Sequence, residues 1–294
     1  MTATILDGRK LSAEIRADLV HRVEALSSRG VVPALSGILV GDDAGSASYI
    51  RLKEKAASEV GLRSEMVHLS QDVTQKDLFS RLAGLNERGD VHGIFVQLPL
   101  PARFDEEAVL EAINPAKDVD GFHPLSVGRS WLGQPSFVPA TPAAVVEMLK
   151  RYGYDDLAGQ HVVIVNVDNL VGKPLASLLC RETVGATVTL CHPDSADLAT
   201  YTRQADVLIV SVNQPAFITA DMVKEGVVAL DFGSNYVDDP SVERGYRVAG
   251  DIDYEAVKEK AEAITPVPGG LGPMTVTMLL AHTVMAAEQM ARCG

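Results

Sequence analysis

Tyr49 and Lys53 stand four residues apart in Ser46–Val60, whose apolar spacing predicts a helix, so both side chains leave one face. A ring beside an amine can serve as a stacking platform next to a proton-transfer group. The same spacing also describes an ordinary exposed pair. Gly93–Leu98 reads as a buried strand that ends near the amide of Gln97, ahead of Pro99 and Pro101. In parallel sheets ligands bind beyond the carboxyl ends of the strands, so Gln97 is placed either to hold one or to be solvated like any strand end. Asp118, Asp120 and His123 share a tight loop, Asp118–Pro124. Two carboxylates suit a cation or the donor edge of a nitrogen heterocycle, but a metal wants more ligands than one short loop supplies.

In the second half, Val163–Pro174 reads as strand, turn and helix start. A pyrophosphate would rest there on the backbone amides at a helix N-terminus. The usual glycine fingerprint is absent, because only Gly172 remains. A P-loop fails too, since Lys173 precedes Pro174 rather than Ser or Thr. The most distinctive string is Pro266-Val-Pro-Gly-Gly-Leu-Gly-Pro-Met-Thr275, with prolines and glycines ahead of a helix. That composition fixes a backbone able to approach a flat ligand closely, or a purely structural turn.

The elements that must position these residues alternate between strand and helix patterns, which predicts an α/β protein with mostly parallel sheets. Leu11–Leu26 is helical, Leu35–Val40 a strand, and Ser64–Leu69 and Gly93–Leu98 are strands around a further helix. Residues 121–140 lose the pattern in Gly, Pro, Ser and aromatic residues, and mark a linker or domain edge. Thr141-Pro142 then opens a helix to Tyr152, as Thr suits an N-cap and Pro the first turn. His161–Val165, Ala186–Cys191, Val207–Val212 and Val227–Asp231 read as buried strands, with Lys173–Glu182 helical. This rhythm matches a dinucleotide-binding fold. Met274–Arg292 is a strong C-terminal helix, expected to pack back across the domain boundary.

At 294 residues the chain is long enough for two domains. Its net charge of −13 argues against nucleic acid and against an anionic membrane surface. No apolar run is long enough to span a bilayer. The start lacks a signal-peptide pattern, so a cytoplasmic location is expected. Three widely spaced cysteines, without a CxxC pair, predict neither disulfides nor a structural metal.

In order along the chain, Leu6-Asp7-Gly8, Val40-Gly41-Asp42-Asp43, Ser48-Tyr49-Ile50-Arg51-Leu52-Lys53, Val96–Pro101, Lys117–Gly121, Thr141-Pro142, Val171–Pro174 and Pro266–Thr275 are specific motifs. Together they resemble the bifunctional methylenetetrahydrofolate dehydrogenase/methenyltetrahydrofolate cyclohydrolase family, over nearly the whole chain. The resemblance implies an N-terminal folate-binding catalytic domain (1–140, joined by helix 274–294) and a C-terminal Rossmann-type domain (141–273). It implies hydride transfer from methylenetetrahydrofolate to a nicotinamide dinucleotide, then hydrolysis of the methenyl cation to 10-formyltetrahydrofolate. Lys53 is similar to the family's proton-transfer group, Tyr49 to its folate-stacking ring, Gln97 to the lysine's hydrogen-bond partner and Asp120 to the pterin anchor. Pro268, Gly269 and Gly270 are expected on the substrate side. Asn166, Val167, Asp168, Val171, Gly172, Lys173, His192, Asp194, Asn213 and Thr275 are expected at the nucleotide. A homodimer is implied as well. An amine with a pKa of about 10.4 is a poor base at neutral pH, and burial beside a ring would lower it.

The nucleotide half departs from the family. Asn166-Val167-Asp168 stands where Gly-Arg-Ser is usual, and His192-Pro193-Asp194 where His-Ser-Lys is usual. The Arg and Ser that hold a 2′-phosphate in the family are thereby replaced, by Val167 and Pro193. Asp194 lies about 22 positions beyond Gly172, about where NAD-binding proteins place the acid for a ribose hydroxyl. Solvated loop residues are the plainer account of Asp168 and Asp194. Asn213 and Ala216 replace usual glycines, and a Cβ there would crowd a cofactor. NADP is the family default and NAD fits Asp194. A cyclohydrolase without its redox step, a non-catalytic folate-binding paralogue and another Rossmann dehydrogenase are the alternatives.

Overall fold

A computed structural model describes residues 2–41, 44–242 and 245–293. Asp42 and Asp43 of the second motif lie outside the described residues. The chain opens with Thr4–Ile5 (β1), Gly8–Ser27 (α1), Ala34–Val40 (β2), Ala44–Glu59 (α2) and Arg63–Leu69 (β3). It continues through Gln75–Glu87 (α3), Gly93–Val96 (β4), Glu106–Glu111 (α4), Pro124–Trp131 (α5) and Ala140–Tyr152 (α6). His161–Val165 (β5), Gly172–Leu179 (α7), Thr187–Cys191 (β6), Leu198–Thr202 (α8) and Val207–Val210 (β7) follow. Val228–Asp231 (β8), Asn235–Asp238 (β9), Tyr246–Ala249 (β10), Tyr254–Lys258 (α9), Ala263–Ile264 (β11) and Leu271–Cys293 (α10) complete it.

Two compact units result, one of residues 13–140 with 276–294, the other of residues 1–12 with 141–275. The α/β class expected from the alternating patterns is the observed one. One boundary differs. The first twelve residues leave the N-terminal domain because β1 pairs in parallel with β11, Thr4 opposite Ala263 and Ile5 opposite Ile264. Two residues carry too short a pattern to reveal their sheet from sequence.

In the first unit β2 lies between β3 and β4, all parallel. Every residue of β2 and β4 is buried, which accounts for their continuous apolar runs. Thr74 caps α3 by accepting from the Asp77 amide at 3.1 Å. Leu78, Leu82 and Leu85 then bury one face of that helix, each contributing about 1.5–3 kcal/mol. The C-terminal helix belongs to this unit from Val276 onward. Arg22 holds Glu288 through two 2.9 Å bonds, and His282 Nδ1 lies 2.9 Å from Val119 O. The 121–140 stretch ends at the edge of this unit, as expected of a domain edge, but it holds a helix rather than a plain linker: His123 caps α5, its Nδ1 accepting from the Leu125 amide at 3.0 Å, with Pro124 in the first turn.

The second unit is built on six strands in the order β1-β11-β8-β7-β5-β6, parallel throughout. The chain leaves β5 for β6 on one side and returns to β7 on the other. The carboxyl ends of β5 and β7 therefore flank the point where the winding reverses, where such sheets bind ligands. Several ends shift from the sequence reading: β4 stops at Val96 rather than Leu98, α7 at Leu179 rather than Glu182, and α10 begins at Leu271. A β9–β10 hairpin, with Tyr236 and Tyr246 edge to face at 5.2 Å, was not legible as strands.

Candidate active site and nucleotide crevice

Lys53 enters its site from α2, where Tyr49 lies one turn earlier and is exposed. The Lys53 Nζ donates to Gln97 Oε1 over 3.1 Å. Gln97 follows β4 directly, and its amide N–H donates to Ile38 O at 2.9 Å, so the ladder continues one residue past the strand. Burial pushes the Lys53 amine below its ordinary value, and the charge of Asp120 pushes back. Burial also raises the Asp120 carboxyl, to about 6, against the pull of Lys53.

The motif Lys117–Gly121 divides its work among its residues. Ile94 bridges in parallel to Asp118, so this segment runs alongside β4. The Lys117 ammonium donates to the carbonyls of Leu85, Asn86 and Arg88 at 3.1, 2.8 and 2.6 Å, holding the end of α3. Asp118 accepts from the amides of Gly121, Phe122 and His123 and from Ser126 Oγ, at 2.9–3.2 Å. Its oxygens are thus occupied in shaping the loop, and a cation finds little left there. Gly121 has φ +74° and a side chain at that position would strike the Val138 backbone at 2.4 Å. Asp120 alone is left with a carboxylate facing the lysine. Among the described residues no donor is bonded to it.

In the second unit Asn166 is buried at the end of β5 and organises the turn before α7. Its Oδ1 accepts from the amides of Asp168 and Gly172 at 3.0 and 2.8 Å. Its Nδ2 donates to Asp168 Oδ2 and to Ser211 O, both at 2.8 Å, linking the turn to the loop after β7. Asp168 Oδ1 in turn accepts from the amides of Leu170 and Val171 at 2.9 and 2.7 Å, and its carbonyl from Lys173. The amides of Asp168 and of Leu170 to Lys173 are thus donated within the turn itself. Gly172 is required by the same closeness, since a Cβ would lie 2.1 Å from Asn166 O. Lys173 Nζ is turned to Asn169 Oδ1 at 2.8 Å.

At the end of β6 the His192 Nδ1 accepts from the Asp194 amide at 3.1 Å. A nitrogen that accepts carries no proton, so its 3.4 Å approach to Asp194 Oδ2 is no ion pair. The Asp194 side chain is almost fully exposed. Beyond β7, Asn213 and Ala216 have φ of 56° and 52° and so keep a backbone that glycine adopts freely. Asp251 fixes that loop, its carboxylate accepting from Val212, Asn213 and Gln214 at 2.6, 3.1 and 2.9 Å. Asp231 holds Asp251 and Ile252 by their amides at 3.0 and 2.8 Å. This aspartate pair was missed in the sequence because nothing local distinguishes Gly-Asp-Ile-Asp from any acidic turn.

The Pro266–Thr275 string lies against residues 8–9 of the same unit. A Cβ on Gly8 would lie 1.7 Å from Gly270 O, and the Arg9 amide donates to Gly269 O at 3.1 Å. Gly269 has φ +116°. Gly8 must therefore lack a side chain to pass this string, whereas a Cβ on Gly270 would lie 2.7 Å from Pro266 O. Pro268 is exposed beside them, and Thr275 Oγ1 bonds back to Leu271 O at 3.3 Å.

The catalytic-domain profile of tetrahydrofolate dehydrogenase/cyclohydrolase matches residues 6–120, and the NAD(P)-binding-domain profile of the same enzymes matches residues 139–291. The chain belongs to the tetrahydrofolate dehydrogenase/cyclohydrolase family. It is 51% identical to bifunctional protein FolD 1 of Myxococcus xanthus over 98% of both chains. Among solved structures, the bifunctional FolD enzyme of Campylobacter jejuni superposes with a TM-score of 0.92 at 44% identity, covering 98% of this chain and 99% of that one. The Trypanosoma brucei enzyme, complexed with NADP and an inhibitor, gives 0.94 at 37% identity, over 99% of each. As a family member the protein is an enzyme, an NAD(P)-dependent dehydrogenase and a cyclohydrolase. Nothing in these likenesses supports a cyclohydrolase stripped of its redox step or a non-catalytic paralogue. Among the described residues no helix is long and apolar enough to cross a membrane.

Proposed function

We propose that Lys53, Gln97, Asp120 and Tyr49 carry the hydrolytic half of a bifunctional enzyme. That enzyme oxidises 5,10-methylenetetrahydrofolate with a nicotinamide dinucleotide and hydrolyses the product to 10-formyltetrahydrofolate. The observation that carries this reading is the 3.1 Å bond from the Lys53 amine to Gln97, with Asp120 acting on the same amine. The neutral amine takes a proton from water as its oxygen bonds to the methenyl carbon. The ammonium then returns that proton to the ring nitrogen as its bond to that carbon breaks and the hydroxyl proton is released to solvent, leaving the formyl group on the other nitrogen. Gln97 orients the amine without adding a charge that would lock it protonated. Asp120 accepts from the donor edge of the pterin, a charge-assisted pairing, and Tyr49 stacks on the substrate. Pro268, Gly269 and Gly270 are further proposed substrate contacts.

When bound, the dinucleotide accepts the hydride. The crevice beyond β5 and β7 fits it by topology. Val167 and Asn169 on the turn, His192 and Asp194 after β6, Asn213 after β7 and Thr275 would hold it. The unpaired Asp194 carboxylate favours a ribose diol over a 2′-phosphate, so NAD is proposed as the preferred cofactor. A homodimer is proposed from the family resemblance.

Oxidation of methylenetetrahydrofolate, run in parallel with NAD and NADP, tests this reading. Turnover with a higher kcat/KM for NAD is expected, and absence of turnover with both would overturn the dehydrogenase half. Lys53→Met should stop hydrolysis of methenyltetrahydrofolate in a folded protein, and normal rates would remove Lys53 from the mechanism.

A further inference from the structure

Phe95 is wholly buried in the middle of β4. The Lys53 Nζ sits over it, 4.0 Å from the ring centroid. Phe95 and Gln97 are two residues apart along one strand direction, so they present to the same side. The amine is therefore held between a π face and an amide oxygen. The fold makes room for the ring in a specific way. Gly37 is its register partner on β2, and a methyl there would lie 2.4 Å from Phe95 Cζ and 2.5 Å from Met66 Cε.

We infer that Phe95 is a positioning residue for hydrolysis, its ring face serving as the seat of the Lys53 ammonium. This rests on the reading of Lys53 as the proton-transfer group. A general base in a buried site must become charged during the reaction, and burial opposes that. A carboxylate bonded to it would overcompensate and hold the proton. A ring stabilises the cation more weakly and adds no charge, so it eases protonation of the amine without holding the proton there. The other groups acting on Lys53 are few: Asp120, from the segment beside β4, raises its proton affinity, and Gln97 is neutral. Tyr49 is the titratable neighbour one turn back on α2.

The test replaces Phe95 site-specifically with mono-, di- and trifluorophenylalanine, which drain the π face in steps with little change of volume, and with Leu. Two quantities are read on the full-length protein. One is the pKa of the Lys53 amine, from the pH dependence of its acetylation by acetic anhydride, quantified by mass spectrometry. The other is the pH profile of hydrolysis. The amine pKa should fall stepwise, by about half to one and a half pH units across the series, with the rising limb of hydrolysis following it. An amine pKa that ignores fluorination overturns the inference, even if Lys53→Met is inactive. A pKa that moves while the hydrolysis limb stays also overturns it. Lys53→Met then separates the two failures, because an active variant means that the lysine itself was misassigned.

Discussion

The amide of Gln97 is fixed end for end by its own neighbour: Nε2 donates to Leu98 O at 2.8 Å, which leaves Oε1 toward the Lys53 amine at 3.1 Å. An acceptor without charge thus faces a buried amine whose usefulness depends on losing its proton.

Gln97→Glu should therefore damage hydrolysis although it preserves shape. The new carboxylate favours the ammonium, raises the Lys53 pKa and moves the rising limb of the pH–rate profile to higher pH. For every pH unit the limb moves, the neutral fraction of the amine falls about tenfold, and the rate at neutral pH falls with it. Gln97→Ala should lose rate without moving the limb upward. Rate measurements on methenyltetrahydrofolate across pH distinguish the two.

Asp120 predicts how folate affinity follows pH. Its carboxyl is raised to about 6. It is an ionised acceptor above that pH and a neutral acid below, so substrate affinity falls as pH drops through 6. At pH 5 the loss should be about tenfold, since only about a tenth remains ionised. Titration of folate binding at several pH values checks this, and Asp120→Asn should bind weakly with the pH dependence gone.

Asp251→Ala should unfasten the loop after β7. Three backbone amides and Asn235 Nδ2, at 2.8 Å, would lose their acceptor. A stability loss of about 1–3 kcal/mol is expected from these partly buried donors, together with a raised KM for the dinucleotide. Urea denaturation and cofactor kinetics measure both.

Ala216 sits at φ 52°. The left-handed region costs an L side chain roughly 1–2 kcal/mol, and glycine loses some of that advantage through a freer unfolded chain. Ala216→Gly should therefore stabilise the protein by about 0.5–1 kcal/mol, read as a higher urea midpoint. A lower midpoint would mean that the methyl group packs usefully.

Cofactor choice is tested by Val167→Arg combined with Asp194→Ser, which restores a cation and removes the exposed carboxylate. The ratio of kcat/KM for NADP over NAD should rise by more than about tenfold, as charge-assisted phosphate contacts are worth about 1.5–3 kcal/mol. An unchanged ratio would mean that the 2′ position is read elsewhere.

Periodicity and motif order determined much by themselves. The buried runs of β2, β4, β5 and β7, the i, i+4 pair Tyr49–Lys53, and the succession of strings from Leu6 to Thr275 are local properties of the chain. They suffice for the α/β class, the two units and the family. Tertiary structure decided which polar group answers which. Lys117, Asp118 and Asp120 look alike in sequence as charged loop residues, yet only packing against α3 and α5 occupies the first two and leaves the third for the lysine. Asn166 and Asp168 read as a changed phosphate turn, and the folded turn shows both side chains accepting from its own amides. Gly8 and Gly270 are 262 positions apart, and the need of Gly8 for a missing side chain exists only once β1 joins β11. Hydrogen-bond satisfaction and close backbone contact are long-range conditions, so no window of sequence contains them.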